Sequence, residues 1–346
     1  MHKITICGHF GGNEKFLDGQ TIKTKNIYLA LLEKYGEKEI NRIDTYHWKK
    51  QPIIFLKRCL KGIKESKNII ILPAQNGVRV FIPLFLLINK LYKRRIFYIV
   101  IGGWLPEFLE NRKGLLEKVK KLDKVFVETN KMKRQLANLE IKNVEILVNF
   151  KNITPLKEEE LNFNHSKPYK LCTFSRVIQE KGIEDAIQVV KNINEEFNEM
   201  VYKLDIYGPI DEKYKERFTK IINNTPEYIQ YKGCIDSEKS VNILKNYYLL
   251  LFPTKFKTEG IPGTIIDALS AGVPIVASRW DNVDEIIIDG INGLIYEFNN
   301  LADFYAKLKT MLNCQKVFII KKNCVECAKN FDSNVAIEPL TNALIG

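Results

Sequence analysis

Two acids, Glu259 and Asp267, stand eight positions apart across the run Gly260-Ile261-Pro262-Gly263-Thr264-Ile265-Ile266. The spacing suits a ligand that carries both phosphate and hydroxyl groups. Gly260 and Gly263 let the backbone come close to a ligand, and Pro262 stiffens the entry to a helix. The first amides of that helix have no acceptor in their own turn, and with the helix dipole they favour a phosphate. Glu259 lies in the loop ahead of those amides and can accept from one hydroxylated group, while Asp267 lies about one turn inside and faces another. Gly272 then closes the helix, and Val273 to Ala277 reads as a buried strand. For the loop taken alone, a plain helix cap with two solvated acids stays open as an alternative.

A second group of charges stands in Phe174-Ser175-Arg176-Val177-Ile178-Gln179-Glu180-Lys181-Gly182. Arg176 and Lys181 flank one turn entering a helix, so both can reach a diphosphate on that helix end. The competing reading is a surface ion pair with Glu180 or Glu184. Gly11 and Gly12 follow the first strand but lack the G-x-G-x-x-G spacing of a dinucleotide site, and Gly102-Gly103-Trp104 follows a later strand. His9 reads as a polar loop residue. The chain has no D-x-D carboxylate clamp, no G-x-x-x-x-G-K-[ST] loop, no G-x-S-x-G elbow and no H-E-x-x-H helix. Metal clamping of a nucleotide, transfer from a nucleoside triphosphate, serine hydrolysis and zinc proteolysis therefore have no motif here.

The elements that would position these residues come in two alternating halves. Strands at Ile4 to Cys7, Asn68 to Leu72, Ile96 to Ile101, Lys124 to Glu128 and Val144 to Val148 are separated by helical stretches such as Thr21 to Tyr35. The rhythm resumes from Lys170 to Phe174 through Pro274 to Ala277. That pattern predicts an α/β chain of two doubly wound parallel sheets with ligands in a cleft between them. The expected divisions are a first domain over 1–150, a linker over 151–168, a second domain over 169–325 and a returning helix over 326–346.

With 346 residues and 45% apolar content the chain can bury two cores of ordinary size. Its longest apolar run, Val80 to Ile88, is too short to span a bilayer, and no signal peptide opens it. The seven cysteines, an odd number, point to reduced thiols in the cytosol, with Cys324 and Cys327 packing a helix. The net charge of +12 is uneven: residues 1–150 carry 29 Lys and Arg against 14 Asp and Glu. Clusters such as Lys57-Arg58, Lys61, Lys64, Lys67 and Lys90 to Arg95 beside the apolar segment Val80 to Leu91 suit an anionic membrane surface. A lysine-rich solvated surface is the alternative.

Taken together, Gly11-Gly12, Ser175-Arg176 to Lys181-Gly182, Tyr207-Gly208, Lys232-Gly233-Cys234-Ile235, Leu251-Phe252-Pro253-Thr254 and Glu259 to Gly272 resemble glycosyltransferase family 4, retaining enzymes of the GT-B fold. The resemblance covers nearly the whole chain and is specific mainly over residues 170–295. It implies two Rossmann-like domains facing across a cleft, an acceptor domain first and a nucleotide-sugar domain second. By resemblance, Glu259 binds hydroxyls of the transferred sugar, Gly260, Ile261, Pro262, Gly263 and Thr264 lie along sugar and phosphates, and Asp267 binds the ribose in place of the usual glutamate. Arg176 and Lys181 match the diphosphate pair, Gly11 and Gly12 the first-domain donor loop, Gly208 a donor-site glycine and Ile235 a position near the base. The implied function is metal-independent, retaining transfer from a nucleoside diphosphate sugar, on family frequency a UDP-sugar, with no cofactor and no nucleic acid. The acceptor is a glycan or polyprenyl-diphosphate-linked glycan, as in capsule or other bacterial surface polysaccharide synthesis, with the enzyme cytoplasmic or peripheral on the inner membrane face. A GT-B nucleotide-sugar epimerase and a non-catalytic accessory subunit are the alternatives.

Overall fold

The computed structural model describes residues 2–14 and 18–345. These form two compact units, one of Met1–Asn152 with Asp332–Gly346 and one of Ile153–Phe331. The first unit holds a parallel sheet of β1 (His2–Gly8), β2 (Ile40–Asp44), β3 (Ser66–Leu72), β4 (Arg95–Ile99), β5 (Lys124–Val127) and β6 (Val144–Ile146) in the order β2-β1-β3-β4-β5-β6. Central strands such as β3 are apolar on both sides because helices cover both faces. Helix α1 (Gly19–Tyr35) starts where Asp18 accepts the Thr21 amide at 3.0 Å. It shares a core with β1 and with the carboxyl-terminal helix Glu338–Ile345, through Ile4, Ile27, Leu31, Leu340 and Leu344. On a second core, α2 (Pro52–Glu65) and α3 (Gln75–Tyr92) lie together through Phe55, Cys59, Phe81 and Phe85. The Phe55 and Phe81 rings sit 5.5 Å apart.

The second unit repeats the plan with β7 (Tyr169–Phe174), β8 (Tyr202–Tyr207), β9 (Ile229–Gly233), β10 (Leu249–Phe252), β11 (Ile275–Ser278) and β12 (Gly293–Tyr296). Their order is β12-β11-β10-β7-β8-β9, all parallel. The order reverses between β7 and β10, and β1 and β3 mark the corresponding switch in the first sheet. Helix α4 (Ile183–Glu196) follows β7, α5 (Gly263–Ser270) follows β10, and α6 (Cys314–Ala328) packs on α5. Gly272, at φ 62°, terminates α5, and a side chain there would lie 2.4 Å from Leu161.

Two edge strands escape the sequence pattern. β2 has only Ile40 and Ile43 as apolar residues among polar ones, which is how edge strands resist pairing with other chains. β12 opens on Gly293, whose missing side chain admits the Ile275 carbonyl, since a Cβ would stand 2.5 Å from it. The segment expected as a linker over 151–168 instead packs on the second unit from residue 153 onward: the Leu156 amide donates to Ser270 at 2.8 Å, and Leu161 is buried. The chain returns to the first unit at Asp332, six residues later than expected, because residues 314–328 form one helix of the second unit. Among the described residues no helix is long and apolar enough to cross a membrane.

Candidate functional site

The loops after β7 and β10 meet at the switch point of the second sheet. Gly182, in the first loop, has φ 67°, and a Cβ there would lie 1.9 Å from the Pro253 carbonyl of the second. Only glycine allows the two backbones this proximity. The Lys255 amide adds a bond to the Glu180 carbonyl at 2.7 Å. This apposition brings Lys181 onto Glu259, 78 positions further along the chain, and their side chains form an ion pair. Lys181 also stands 5.2 Å from the Phe252 ring centre and 5.3 Å from that of Phe256, a setting that favours a cation.

Glu259 is held from several sides. Thr254 donates its hydroxyl to Oε1 at 3.1 Å, and Asn282 donates to the Glu259 carbonyl at 2.7 Å. Ser278 in turn donates to the Thr254 carbonyl at 2.5 Å. Thr254, Ser278 and Asn282 are all buried, so the acid rests on a rigid support. Sequence reasoning left out Ser278 and Asn282. A small polar residue at a strand's end and an Asn in the next loop carry no motif, and only the fold brings them under the acid. At 17% exposure, Glu259 keeps a carboxylate oxygen for an outside hydroxyl.

Gly263 begins α5 and Pro262 is its cap residue, so the amides of Gly263 and Thr264 precede the first turn's bonds, the earliest of which run from Ile265 and Ile266 to the Pro262 carbonyl. The Thr264 hydroxyl is already committed: it donates to the Phe174 carbonyl at 2.7 Å and ties the start of α5 to the end of β7. Thr264 therefore offers a ligand its amide. Gly260 is buried, and so is Ile261, at 3% exposure, which leaves the backbone as what Ile261 can present. Asp267 is 2% exposed. A carboxyl that the sequence reading set facing a ligand is here closed off from solvent, and being one methylene shorter than glutamate it reaches less far from its helix.

Arg176 is exposed, and its guanidinium makes no hydrogen bond or ion pair among the described residues. The ion pair with Glu184 weighed from sequence is not formed, since Glu184 takes Arg217 at 2.8 Å and the Tyr214 hydroxyl at 2.7 Å. Gly208, at φ 134°, follows β8, and a Cβ there would lie 1.7 Å from the Ser175 carbonyl, so its lack of a side chain lets this loop close on that of Arg176. Ile235 is half-buried beyond β9. Below them Tyr247 donates to Asp205 at 2.7 Å and stands 2.7 Å from the Tyr207 hydroxyl. Burial, then the bonds with Tyr207 and Asp205, push the Tyr247 hydroxyl far above its ordinary range and keep it neutral.

Gly11 and Gly12 lie in the first unit, both at positive φ. Their loop is folded around Asp44, whose carboxylate accepts the amides of Phe10 at 2.9 Å, Gly12 at 2.8 Å and Tyr46 at 2.8 Å. The Gly12 amide, matched to a donor loop by the resemblance, thus already has an anion. Asp44 ends β2, and missing that strand meant missing this acid. His9 bonds the Thr21 hydroxyl at 2.7 Å, and the Trp104 indole donates to the Ile101 carbonyl at 2.7 Å.

Among proteins of known sequence, an uncharacterised glycosyltransferase of Methanocaldococcus jannaschii is 28% identical over 56% of this chain and 46% of its own length. The N,N'-diacetylbacillosaminyl-diphospho-undecaprenol alpha-1,3-N-acetylgalactosaminyltransferase of Campylobacter jejuni is 23% identical over 58% of this chain and 54% of its own. The chain thus spans about half the length of these curated relatives. Among solved structures, Anabaena HepE in complex with UDP and glucose superposes with a TM-score of 0.75 at 12% identity over 100% of both chains. Its likeness marks the α/β architecture as the GT-B fold. The model of the family described as Glycosyl transferases group 1 matches residues 156–331, the stretch that contains Arg176, Lys181, Glu259 and α5, and the chain belongs to that family.

Proposed function

We propose that the chain is a retaining, metal-independent glycosyltransferase of the family 4 type, taking a sugar from a nucleoside diphosphate donor to a glycan or polyprenyl-diphosphate-linked acceptor. The observation that carries this reading is the junction at the β7/β10 switch point, where Lys181 pairs with Glu259 ahead of the amino end of α5, with Arg176 exposed in the loop after β7. Cation, helix amides and guanidinium are suited to the charge that builds on a departing diphosphate. Glu259 is suited to a sugar hydroxyl, and its pairing with Lys181 supports adjoining sugar and phosphate subsites.

On this reading the donor's diphosphate engages Arg176 and the amides of Gly263 and Thr264, and Lys181 shifts its charge between Glu259 and the phosphates. The bond from the sugar to the phosphate breaks, the acceptor hydroxyl adds on the same face, and its proton passes to a donor phosphate oxygen. Uridine is supported as the base by the UDP bound in the HepE structure. A polyprenyl-linked acceptor is supported by the name of the Campylobacter relative, and a role in surface polysaccharide assembly, such as capsule at the inner membrane face, is part of the same proposal.

The test is calorimetric titration of the chain against UDP, GDP, ADP and their sugars, followed by turnover with the donor that binds. Binding of one diphosphate that weakens in Arg176→Ala supports the reading. Full turnover in that variant, or no nucleotide binding at all, overturns it, and donor conversion without any acceptor would point to an epimerase.

A further inference from the structure

The first unit carries a surface that its own core does not use. Seven of the sixteen large apolar side chains found exposed among the described residues belong to α2 and α3. On α2, Ile53, Lys57, Leu60 and Lys64 recur at intervals of four, three and four, which sets them in one outward stripe. Ile53 is 70% exposed and Leu60 37%. On α3, Val80, Leu87 and Leu91 follow at intervals of seven and four, with Leu87 62% and Leu91 79% exposed. The two helices are neighbours on one face of the sheet, joined through Phe55 and Phe81, so the stripes belong to one surface.

Charge decides what such a surface fits. Residues 51–100 carry ten Lys and Arg against one acid, Glu65. On α2 the cations alternate with the aliphatics in the same stripe. An apolar surface meant for another protein is ordinarily depleted of lysine at its centre, whereas aliphatics interleaved with lysines suit lipid headgroups, the alkyl groups entering the boundary and the ammonium groups meeting phosphates. A cavity of about 860 Å³ opens beside the same helices, at the carboxyl ends of β1 to β3, and is lined by Trp48, Lys49, Gln75, Asn76, Arg79 and Val80. Val80 belongs to both the cavity and the apolar stripe, so the two are continuous.

We infer that the outward face of α2 and α3 docks on an anionic lipid surface, with the β1–β3 cavity opening at the edge of that face toward the headgroups. The inference builds on the lipid-linked acceptor of the proposed function, for which it supplies the place of entry. An acceptor whose lipid stays in the membrane would present its polar end at Lys49 and Arg79.

The test is flotation of the full chain with vesicles of phosphatidylglycerol and phosphatidylcholine, or of phosphatidylcholine alone, in low and high salt and without any sugar substrate. The chain is expected to float with the anionic vesicles only, and less so in high salt. Lys57→Glu/Lys61→Glu/Lys64→Glu should weaken binding by over about a hundredfold, taking about fivefold per cation. Ile53→Ser/Leu87→Ser/Leu91→Ser should weaken it while leaving the melting temperature unchanged, since these side chains are exposed. Binding to neutral vesicles as strong as to anionic ones, no binding to either, or full binding by both variants overturns the inference. So does a wild-type chain that self-associates and is made monomeric by the serine variant, because a second copy would then be the occupant. Nucleotide titration of both variants separates the readings: lost vesicle binding with intact nucleotide binding locates the fault on this face, and the reverse pattern in the wild type removes the donor assignment but leaves the docking face standing.

Discussion

At the switch between β1 and β3 the first unit sets hydrogen-bonding side chains, Thr45, Gln75 and Asn76, with Lys49 and Arg79 around an open cavity. At the switch between β7 and β10 the second presents a cation and an acid already paired, the start of a helix, and the exposed guanidinium of Arg176. The same sheet plan has thus been finished with two chemistries. One end offers side-chain amides and hydroxyls beside two cations, the other an ion pair at the start of a helix. The contrast extends inside the units. Each buries a lysine, but Lys23 in the first pairs with Glu128 and donates to the Val100 carbonyl at 3.0 Å, while the Nζ of Lys321 in the second has no hydrogen-bond partner among the described residues.

The sharpest way to break this contrast is Lys23→Met. It leaves Glu128 without its cation in the interior and is expected to cost about 4 kcal/mol of stability, measured by denaturant unfolding. A neutral result would mean that the pair contributes nothing to the first unit. Next comes Arg176→Ala, expected to lower kcat/KM by about a hundredfold or more with the fold intact. If instead substitutions around the first cavity proved the more damaging to nucleotide binding, the division of chemistry between the units would be wrong.

Lys321→Met should act in the opposite sense to Lys23→Met. Burial lowers the Lys321 pKa to about 8 from 10.5, so below about pH 8 a charge is carried in the interior at a cost. Between that value and the ordinary lysine range the unfolded chain binds the extra proton, and wild-type stability rises with pH. The variant should therefore be more stable by about 2 to 3 kcal/mol at pH 7, with the gain shrinking toward pH 10 in melts at matched salt. A gain that does not depend on pH would mean that packing, not charge, is responsible. The smallest effect is expected of Asn76→Ala, about a fivefold rise in acceptor KM from one lost hydrogen bond, with nucleotide affinity unchanged.

The second unit was the more legible of the two from sequence. Its strand β10 is an uninterrupted apolar run and β7 nearly one, and Arg176, Lys181 and Glu259 sit in the loops that follow them, where a parallel sheet exposes its loops. What the sequence hid was the partnership of Lys181 with Glu259, since an ion pair between residues 78 positions apart depends on how closely Gly182 lets two loops approach. The burial of Asp267 was hidden too, because a helix of eight residues gives too few turns for periodicity to say which side faces inward. In the first unit the missed β2 concealed Asp44, so a glycine pair matched to a donor loop proved to be wrapped around a carboxylate. The α2 surface was visible only as a list of lysines until the helix set Ile53 and Leu60 among them.

The return of the chain at Asp332 has a consequence for how the molecule is made. During synthesis the second unit is a contiguous segment and is complete once Phe331 has emerged, whereas the first must wait for residues 332–345 to cover Ile70 and Leu72 with Ile337, Leu340 and Leu344. The half that is translated first is therefore the last to be finished, and its apolar face stays uncovered while the whole of the other unit is being translated. A ribosome stalled between the two events would hold a second unit able to fold and a first unit still open to chaperones.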